Sequence, residues 1–299
     1  MSDHTDETSE LQAWVGGELV PARTATISAF DRGFRNGEGV FETFRAYGEH
    51  VFRLDAHLER AREGASTLGF DPGEHDALAT AVRVTAQTNL AVLEGADSAL
   101  RLTVSPGSID PESPFPGSPR PEPTVVVTSH RLAIPRAVHR HGIRAAAVPF
   151  AREMPHVKSV SYLIAVTARR QARAVGADEA LLTDAAGDVL EGTSTNVFAV
   201  IEGRLVTPPI DAGLLAGVTR AVVVEVAAGL GIEVQERPLP LAALTGADEA
   251  FLTATTREVI PLVAVDEVRI GDGRPGPVTR RVHTGYREEV ERERATAAG

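Results

Sequence analysis

The chain has 299 residues but no cysteine, one tryptophan and a single lysine. Without cysteine there is no disulfide scaffold, no Cys-ligated zinc or iron–sulfur site and no thiol nucleophile. No stretch approaches the ~18 uninterrupted apolar residues of a membrane-spanning helix. Residues 1–10 are polar and acidic and lack the apolar run of a secretory signal, so a cytoplasmic protein is expected. Positive charge is also in deficit. A formal net charge of −11 argues against nucleic-acid or anionic-membrane partners. Dinucleotide, P-loop and HExxH motifs are missing. The nine histidines show no metal-ligand spacing, and His139 and His141 read as solvated, so no metal is expected.

Of the 30 basic side chains, 29 are arginine, and Lys158 carries the only side-chain primary amine. Arginine replaces lysine readily as a solvated charge. It stays protonated, however, whereas a lysine in a desolvated pocket can lose its proton and act as a nucleophile or imine former. A lone lysine is therefore either a leftover surface residue or a residue whose chemistry arginine cannot supply. The count does not decide between them.

The length fits one large or two modest domains at ~100–200 residues each. Leu11–Val15 and Glu18–Val20 flank Gly16-Gly17, a hairpin signal. Val40–Tyr47 and Val51–Arg53 read as strands, and Asp55 as the N-cap of a helix through Leu68. A second helix runs to Leu90, and Ala99–Val104 and Thr124–Thr128 are strands around a Pro-, Gly- and Ser-rich loop, Ser105–Pro123. Residues 129–136 read as a linker. That gives a disordered tail over 1–10, a small domain over 11–128 and a larger one over 137–299. The second half shows a strand at Ile143–Val148, a helix over Val160–Val175 and a hairpin Glu179–Asp184/Asp188–Glu191. Strands at Thr195–Ile201 and Arg204–Val206, a helix Val218–Leu230, strands at Ile232–Gln235 and Ala250–Thr253, and a charged helix from Pro277 to Arg294 complete it. Tight turns and interspersed helices indicate an α+β or mixed α/β chain.

Four segments carry chemistry suited to a Schiff-base cofactor. Lys158 lies in His156-Val157-Lys158-Ser159-Val160-Ser161-Tyr162, and Glu191 ends a strand. A carboxylate can hold a proton on a pyridine nitrogen and so strengthen an electron sink. Leu215-Ala216-Gly217-Val218-Thr219-Arg220 opens a helix whose first N–H groups suit a phosphate. Thr253-Ala254-Thr255-Thr256 clusters hydroxyls after an apolar strand, and Arg60, one turn after His57, offers positive charge. Each segment alone has an ordinary reading as a strand end, a helix start, a turn or a solvated arginine.

Together these segments resemble the class IV, fold-type-IV, pyridoxal-phosphate aminotransferases, from about Trp14 to Thr284. The motifs are Asp31-Arg32-Gly33-Phe34-Arg35-Asn36-Gly37-Glu38-Gly39-Val40-Phe41-Glu42-Thr43, His57-Leu58-Glu59-Arg60, Lys158 to Tyr162, Glu191-Gly192 to Asn196, Leu215 to Arg220 and Thr253 to Pro261. The resemblance implies a small N-terminal α/β domain and a larger, β-barrel-like C-terminal domain that binds pyridoxal 5′-phosphate. It implies that Lys158 forms the Schiff base and moves a proton between the substrate Cα and the cofactor, and that Glu191 binds the pyridine nitrogen. Arg60, the N–H groups of Val218 and Thr219 beyond Gly217, and Thr255 hold the phosphate; Leu215 packs on the ring; Tyr162 reaches its O3′ oxygen. A homodimer is implied, with the pocket between domains and completed by the partner subunit.

Phe41, Thr43 and Arg45 alternate along one strand, so they share a face, which the resemblance directs into the substrate pocket with Thr256. Arg45 or Arg35 is the candidate for a substrate carboxylate, with pairing of Arg45 to a structural acid as the alternative. Branched-chain enzymes usually carry Gly where Thr43 stands, which favours the D-amino-acid and aminodeoxychorismate lyase branches. The Arg-x-His trap of well-known D-amino-acid enzymes is absent from the Ser105–Pro123 loop, where Arg120 is the only basic residue. The expectation is a D-amino-acid transaminase of a less usual type, also accepting (R)-amines and using 2-oxoglutarate or pyruvate. A lyase, a branched-chain L-amino-acid transaminase and an inactive vitamin-binding relative remain as alternatives.

Overall fold

A computed structural model describes residues 10–109, 122–132 and 136–298. Residues 1–9 of the expected 1–10 tail, most of the Ser105–Pro123 loop with Arg120, and linker residues 133–135 lie outside them. The chain divides into two compact units. One comprises the residues up to Ala133 with Val157–Ser161; the other comprises Ile134–His156 with Tyr162–Gly299. No helix among the described residues is long and apolar enough to cross a membrane.

In the first unit, β1 (Gln12–Val15) and β2 (Glu18–Pro21) form the expected hairpin, with Gly16 and Gly17 at φ 57° and 103°. Both turn positions need positive φ, which glycine adopts without strain. A short helix α1 (Arg32–Asn36) leads to β3 (Val40–Tyr47) and β4 (His50–Val51). Helices α2 (Leu54–Thr67) and α3 (His75–Leu90) precede β5 (Ser98–Ser105) and β6 (Thr124–Arg131). The strands form one antiparallel sheet in the order β2-β1-β6-β5-β3-β4. β6 continues through Arg131, so Ser129–Arg131 belong to the sheet and not to a linker.

Alternation decides the core. Val40, Phe44 and Ala46 of β3 and Leu100, Leu102 and Val104 of β5 are buried in one cluster with α2 and α3. On α2 the buried positions Leu54, His57, Leu58, Ala61 and Ala65 recur at helical spacing. Burying each such leucine contributes about 1.5–3 kcal/mol. Asp55 is not the N-cap of α2. Arg53, at φ 53°, occupies that position, and Asp55 sits in the first turn, where its charge faces the positive end of the helix dipole.

The second unit begins with α4 (Arg136–His141), β7 (Ile143–Val148), α5 (Leu163–Ala174), β8 (Glu179–Thr183) and β9 (Val189–Gly192). It continues through β10 (Asn196–Ile201), β11 (Arg204–Thr207), α6 (Val218–Gly229), β12 (Val234–Glu236) and α7 (Leu241–Thr245). It ends with β13 (Glu249–Ala254), β14 (Glu258–Val265), β15 (Val268–Arg269) and α8 (Pro277–Ala298). Its sheet runs β12-β11-β10-β13-β14-β7-β8-β9, with β15 on β14, and curls toward a half-barrel. The β7–β8, β14–β7 and β11–β12 pairs are parallel and the rest antiparallel, so the sheet is mixed. This agrees with the α+β expectation.

Two local differences from the sequence reading have clear causes. α5 starts at Leu163 rather than Val160, because the preceding residues bond elsewhere. Phe41 N donates to Lys158 O at 2.9 Å and Val160 N to Gly39 O at 3.0 Å, tying this segment to the first unit. β14 is not legible in the sequence because Pro261 interrupts it, and proline normally argues against a central strand. Pro261 nevertheless sits opposite Phe251 in the ladder, and the pairing of β14 with β7 begins only at Leu262.

Gly142 joins α4 to β7 at φ 74°, its N–H donating to Val138 O at 2.9 Å. A Cβ there would collide with Val263 Cγ1 and stand 3.0 Å from the Pro261 carbonyl. Strain and collision act together, so Gly142→Ala is expected to destabilise the protein by about 1–3 kcal/mol, read as a lower urea midpoint at unchanged m.

Candidate functional site

In the first unit, Lys158 is positioned by its own backbone. Its carbonyl accepts from Phe41, and Ser159 forms an isolated bridge with Val40. Val157 is buried in the core beneath. Its Nζ stands 4.6 Å from the Phe41 ring centroid. The Arg101 guanidinium lies 3.7 Å from the same ring. Arg101 pairs with Thr43 across β3 and β5, and Phe41 with Thr103, so these side chains share a face. Lys158, Phe41, Thr43 and Arg101 therefore form one group. Sequence reading misses Arg101. Its signal is the alternation of β5, which puts it on the face opposite buried Leu100 and Leu102.

Arg45 is taken up differently. Its Nη2 donates to Asp97 Oδ2 at 2.7 Å and its guanidinium lies 4.3 Å from the Tyr47 ring, with the residue 5 % exposed. The alternative of a structural acid partner is what the geometry shows. Arg35 is exposed on α1, 5.8 Å from the Phe30 ring.

The pleat turns Glu42 away from Thr43, into the helix-covered side of β3. There it is fully buried and accepts from Arg60 Nε at 2.7 Å and Nη2 at 2.6 Å, with His57 Nδ1 at 2.8 Å. Burial opposes ionisation of Glu42. The Arg60 charge and the His57 hydrogen bond outweigh it and hold the carboxyl pKa at about 2. Burial pushes the His57 pKa down, helped by the Arg60 and Lys158 charges and resisted by Glu42. Arg60 is thus a carboxylate-bound arginine on the face opposite Thr43.

In the second unit, Glu191 is the penultimate residue of β9 and is 2 % exposed. Its Oε2 accepts from Leu215 N at 3.2 Å. Its Oε1 lies 2.7 Å from Arg152 Nε without hydrogen-bond alignment, so this contact is Coulombic. Arg152 is not singled out by the sequence. It also donates to Thr193 O at 3.0 Å and lies 6.0 Å from the Tyr162 ring. Tyr162 OH donates to the same carbonyl at 2.7 Å. Burial raises the phenol pKa, and the Arg152 and Arg169 charges act against that rise.

Asn196 links these residues to the helix start. Its Nδ2 donates to Leu215 O at 2.9 Å, and it pairs with Thr253 across β10 and β13. A Cβ on Gly217 would overlap the Asn196 amide, so glycine is required where α6 begins. Gly217 caps α6 without any side-chain hydrogen bond, which leaves the N–H groups of Val218 and Thr219 uncapped by a side chain. Thr253 Oγ1 is buried and has no hydrogen-bond partner. Thr255 and Thr256 form the turn that follows. The second unit therefore gathers Glu191, Tyr162, Leu215, Gly217 and the 253–256 segment around one set of hydrogen bonds. The buried carboxylate, the uncapped helix start and the orphaned hydroxyl fit an aromatic cation bearing a phosphate.

Comparison with known proteins agrees with this chemistry. The family model described as amino-transferase class IV matches residues 39–265. A putative branched-chain-amino-acid aminotransferase of Methanocaldococcus jannaschii is 35% identical over 288 residues, covering 93% of this chain and 96% of the relative. A D-alanine aminotransferase of Bacillus licheniformis is 30% identical over 284 residues, covering 94% and 97%. A solved branched-chain amino acid aminotransferase of T.th., with pyridoxamine 5′-phosphate, superposes with a TM-score of 0.85 at 30% identity, covering 93% of each chain.

The Glu42 carboxyl gives a pH prediction. Its folded pKa, about 2, is below the 4.5 of a free carboxyl. Its stabilisation is therefore complete above pH 4.5 and is lost as pH falls through 2. The shift corresponds to about 3 kcal/mol. Urea unfolding followed downward from neutral pH should show this loss in the wild type and not in Glu42→Gln. The variant should already be weaker at neutral pH by about 3–5 kcal/mol, because the Arg60 charge is left buried. Parallel acid profiles for the two proteins would contradict the assignment.

Proposed function

Because the chain belongs to the class IV aminotransferase family and is a pyridoxal-phosphate-dependent aminotransferase, we propose that it moves an amino group between a D-amino acid and a 2-oxo dicarboxylate such as 2-oxoglutarate. The observation that carries the dicarboxylate reading is the pair of cations on the Phe41 ring. Lys158 and Arg101 stand 4.6 Å and 3.7 Å from its centroid, and the Arg101 residue is exposed. An exposed guanidinium beside the reactive amine is placed to take a carboxylate by paired hydrogen bonds. Arg45 donates to Asp97 and is buried, whereas Arg101 is exposed. The D-reading rests on Thr43, which stands where the branched-chain enzymes that this chain resembles usually carry glycine.

Pyridoxal phosphate supplies, when bound, an electron sink for the pair left at the substrate α-carbon. Glu191 would hold the pyridine nitrogen protonated, with Arg152 and the Leu215 N–H stabilising its carboxylate. Leu215 would pack on the ring and Tyr162 approach its oxygen. The Val218 and Thr219 N–H groups and Thr255 would hold the phosphate, Arg60, oriented by Glu42, would add charge, and Thr256 would line the substrate pocket. The Lys158 amine takes up the α-proton and returns it. The partners are a small amino donor and a 2-oxo acid. A homodimer is supported by the exposed Ile27, Phe30 and Phe34 of the first unit, 47%, 50% and 71% accessible. The acidic charge and the missing cysteines favour a cytoplasmic setting. A branched-chain L-amino-acid transaminase is the second reading, supported by the 35% identical relative.

Three measurements test this. Lys158→Ala should lose the lysine-linked cofactor absorbance and all turnover, and borohydride should fix cofactor to Lys158 alone in the wild type. An unchanged spectrum would overturn its role. Arg101→Leu should raise the KM for 2-oxoglutarate about tenfold or more, as expected for a lost charged hydrogen bond, with a smaller effect on pyruvate. A donor panel of both enantiomers plus (R)-primary amines, read from half-reaction spectra, decides the handedness. Turnover of L-leucine-type donors alone would replace the D-reading with the branched-chain one.

A further inference from the structure

The sequence offers no metal-ligand spacing, yet the second unit gathers one set of donors from distant segments. His139 on α4, Glu258 at the start of β14 and His283 on α8 place ligand atoms within 4.8 Å of one another. The two imidazoles stack nearly parallel, 4.6 Å between centroids and 16° between planes. His283 Nε2 lies 2.6 Å from Glu258 Oε2, so a proton bridges them. The other oxygen of Glu258 accepts from Arg287 Nη1 at 2.7 Å, which fixes the carboxylate plane. His139 Nδ1 lies 3.1 Å from the Val259 carbonyl. A carbonyl only accepts, so Nδ1 donates, and in the neutral ring Nε2 then carries the lone pair. A backbone carbonyl that fixes the tautomer and a charged group that orients a carboxylate are the outer supports that metal ligands usually have.

Ordinary electrostatics does not require this arrangement. Arg287 and His283 each meet one oxygen of Glu258, which is only 3 % exposed, and His139 brings a second imidazole stacked on the first. Like imidazoles gain little from stacking in water, and when protonated they repel. A shared cation removes that repulsion.

We propose that His139, Glu258 and His283 bind a divalent transition-metal ion of the zinc class. Two imidazole nitrogens and one carboxylate oxygen match the borderline preference of Zn²⁺, with bonds of about 2.0–2.2 Å and one position left for water. The ion replaces the proton shared by His283 and Glu258. Ligand atoms around such an ion are separated by roughly 3–3.5 Å, which follows from those bond lengths at tetrahedral angles. The spacing is therefore close, but the two rings must rotate out of their stack to aim both lone pairs at one ion. The site lies apart from Glu191 and the α6 start in sequence, but Glu258 follows the Thr255–Thr256 turn by two residues. An ion there would pin the end of that turn.

The test uses cofactor-loaded protein stripped with a chelator and titrated with Zn²⁺ against a chromophoric competitor. Co²⁺ serves as a spectroscopic substitute. One equivalent should bind, and Co²⁺ should give the visible bands of a low-coordinate nitrogen–oxygen site. His139→Gln and His283→Gln should each weaken Zn²⁺ binding at least about tenfold, and the double variant should abolish it. His75→Gln, on α3 of the first unit, should change nothing. Circular dichroism and cofactor content check folding. If His283→Gln does not fold, the partly exposed His139→Gln carries the test alone. Wild-type protein that binds no equivalent, or stoichiometric binding that survives loss of the histidines, would overturn the proposal.

Discussion

A carboxylate with no access to water organises the second unit. Glu179, at the start of β8, is fully buried and accepts from Arg169 of α5 at 3.3 Å and from Arg257 at 3.1 Å. It also accepts from the hydroxyl of Thr193 and from the backbone N–H of Thr193 and Ala180. Burying a lone carboxylate is prohibitive, so these donors are obligatory once the strand is in place. The consequence is geometric. Arg257 comes from the turn that holds Thr255 and Thr256, and Thr193 from the segment after Glu191, so one buried charge ties these two loops together. Arg169 also donates to the hydroxyls of Thr193 and Ser194, which leaves the loop little freedom.

The first unit uses the same device on a strand with two faces. Glu42 looks into the helices and fixes Arg60 and His57, while Phe41 and Thr43 look the other way with Arg101. Because the pleat alternates strictly, the charge network cannot slip without moving the Phe41 ring beneath Lys158. The backbone bonds between Phe41 and Lys158 and between Val160 and Gly39 complete this frame. One strand therefore carries a buried charge network on one face and the Phe41, Thr43 and Arg101 group on the other.

Much of this is legible without coordinates. β3, β5, α3, α6 and the hairpin of β8 and β9 follow from periodicity and glycine turns close to their observed limits. Lys158, Glu191, Gly217 and the 253–256 turn stand out because each residue type has chemistry that its neighbours lack. Arg101 and Arg152 do not, because in a chain with 29 arginines strand alternation gives a face but not whether the arginine there is ring-stacked, carboxylate-bound or solvated. The sequence leaves Arg45 open between a substrate carboxylate and a structural acid for the same reason, since its partner Asp97 lies 52 residues away. β14 is hidden by Pro261, whose place in the ladder only its neighbours reveal.

The sequence by itself narrowed the candidate for a reactive side-chain amine to Lys158, because the chain has no other lysine. It also determined the alternation that buries one side of β3 and the glycine-led helix start. Tertiary structure alone decided which arginine meets which acid. It alone brought His139 to His283 across more than half the second unit's sequence, and gave Glu179 its donors. The physical reason is range. Periodicity and capping act within a turn or two of chain, whereas a buried charge is compensated by whichever donor the fold delivers, however far away in sequence.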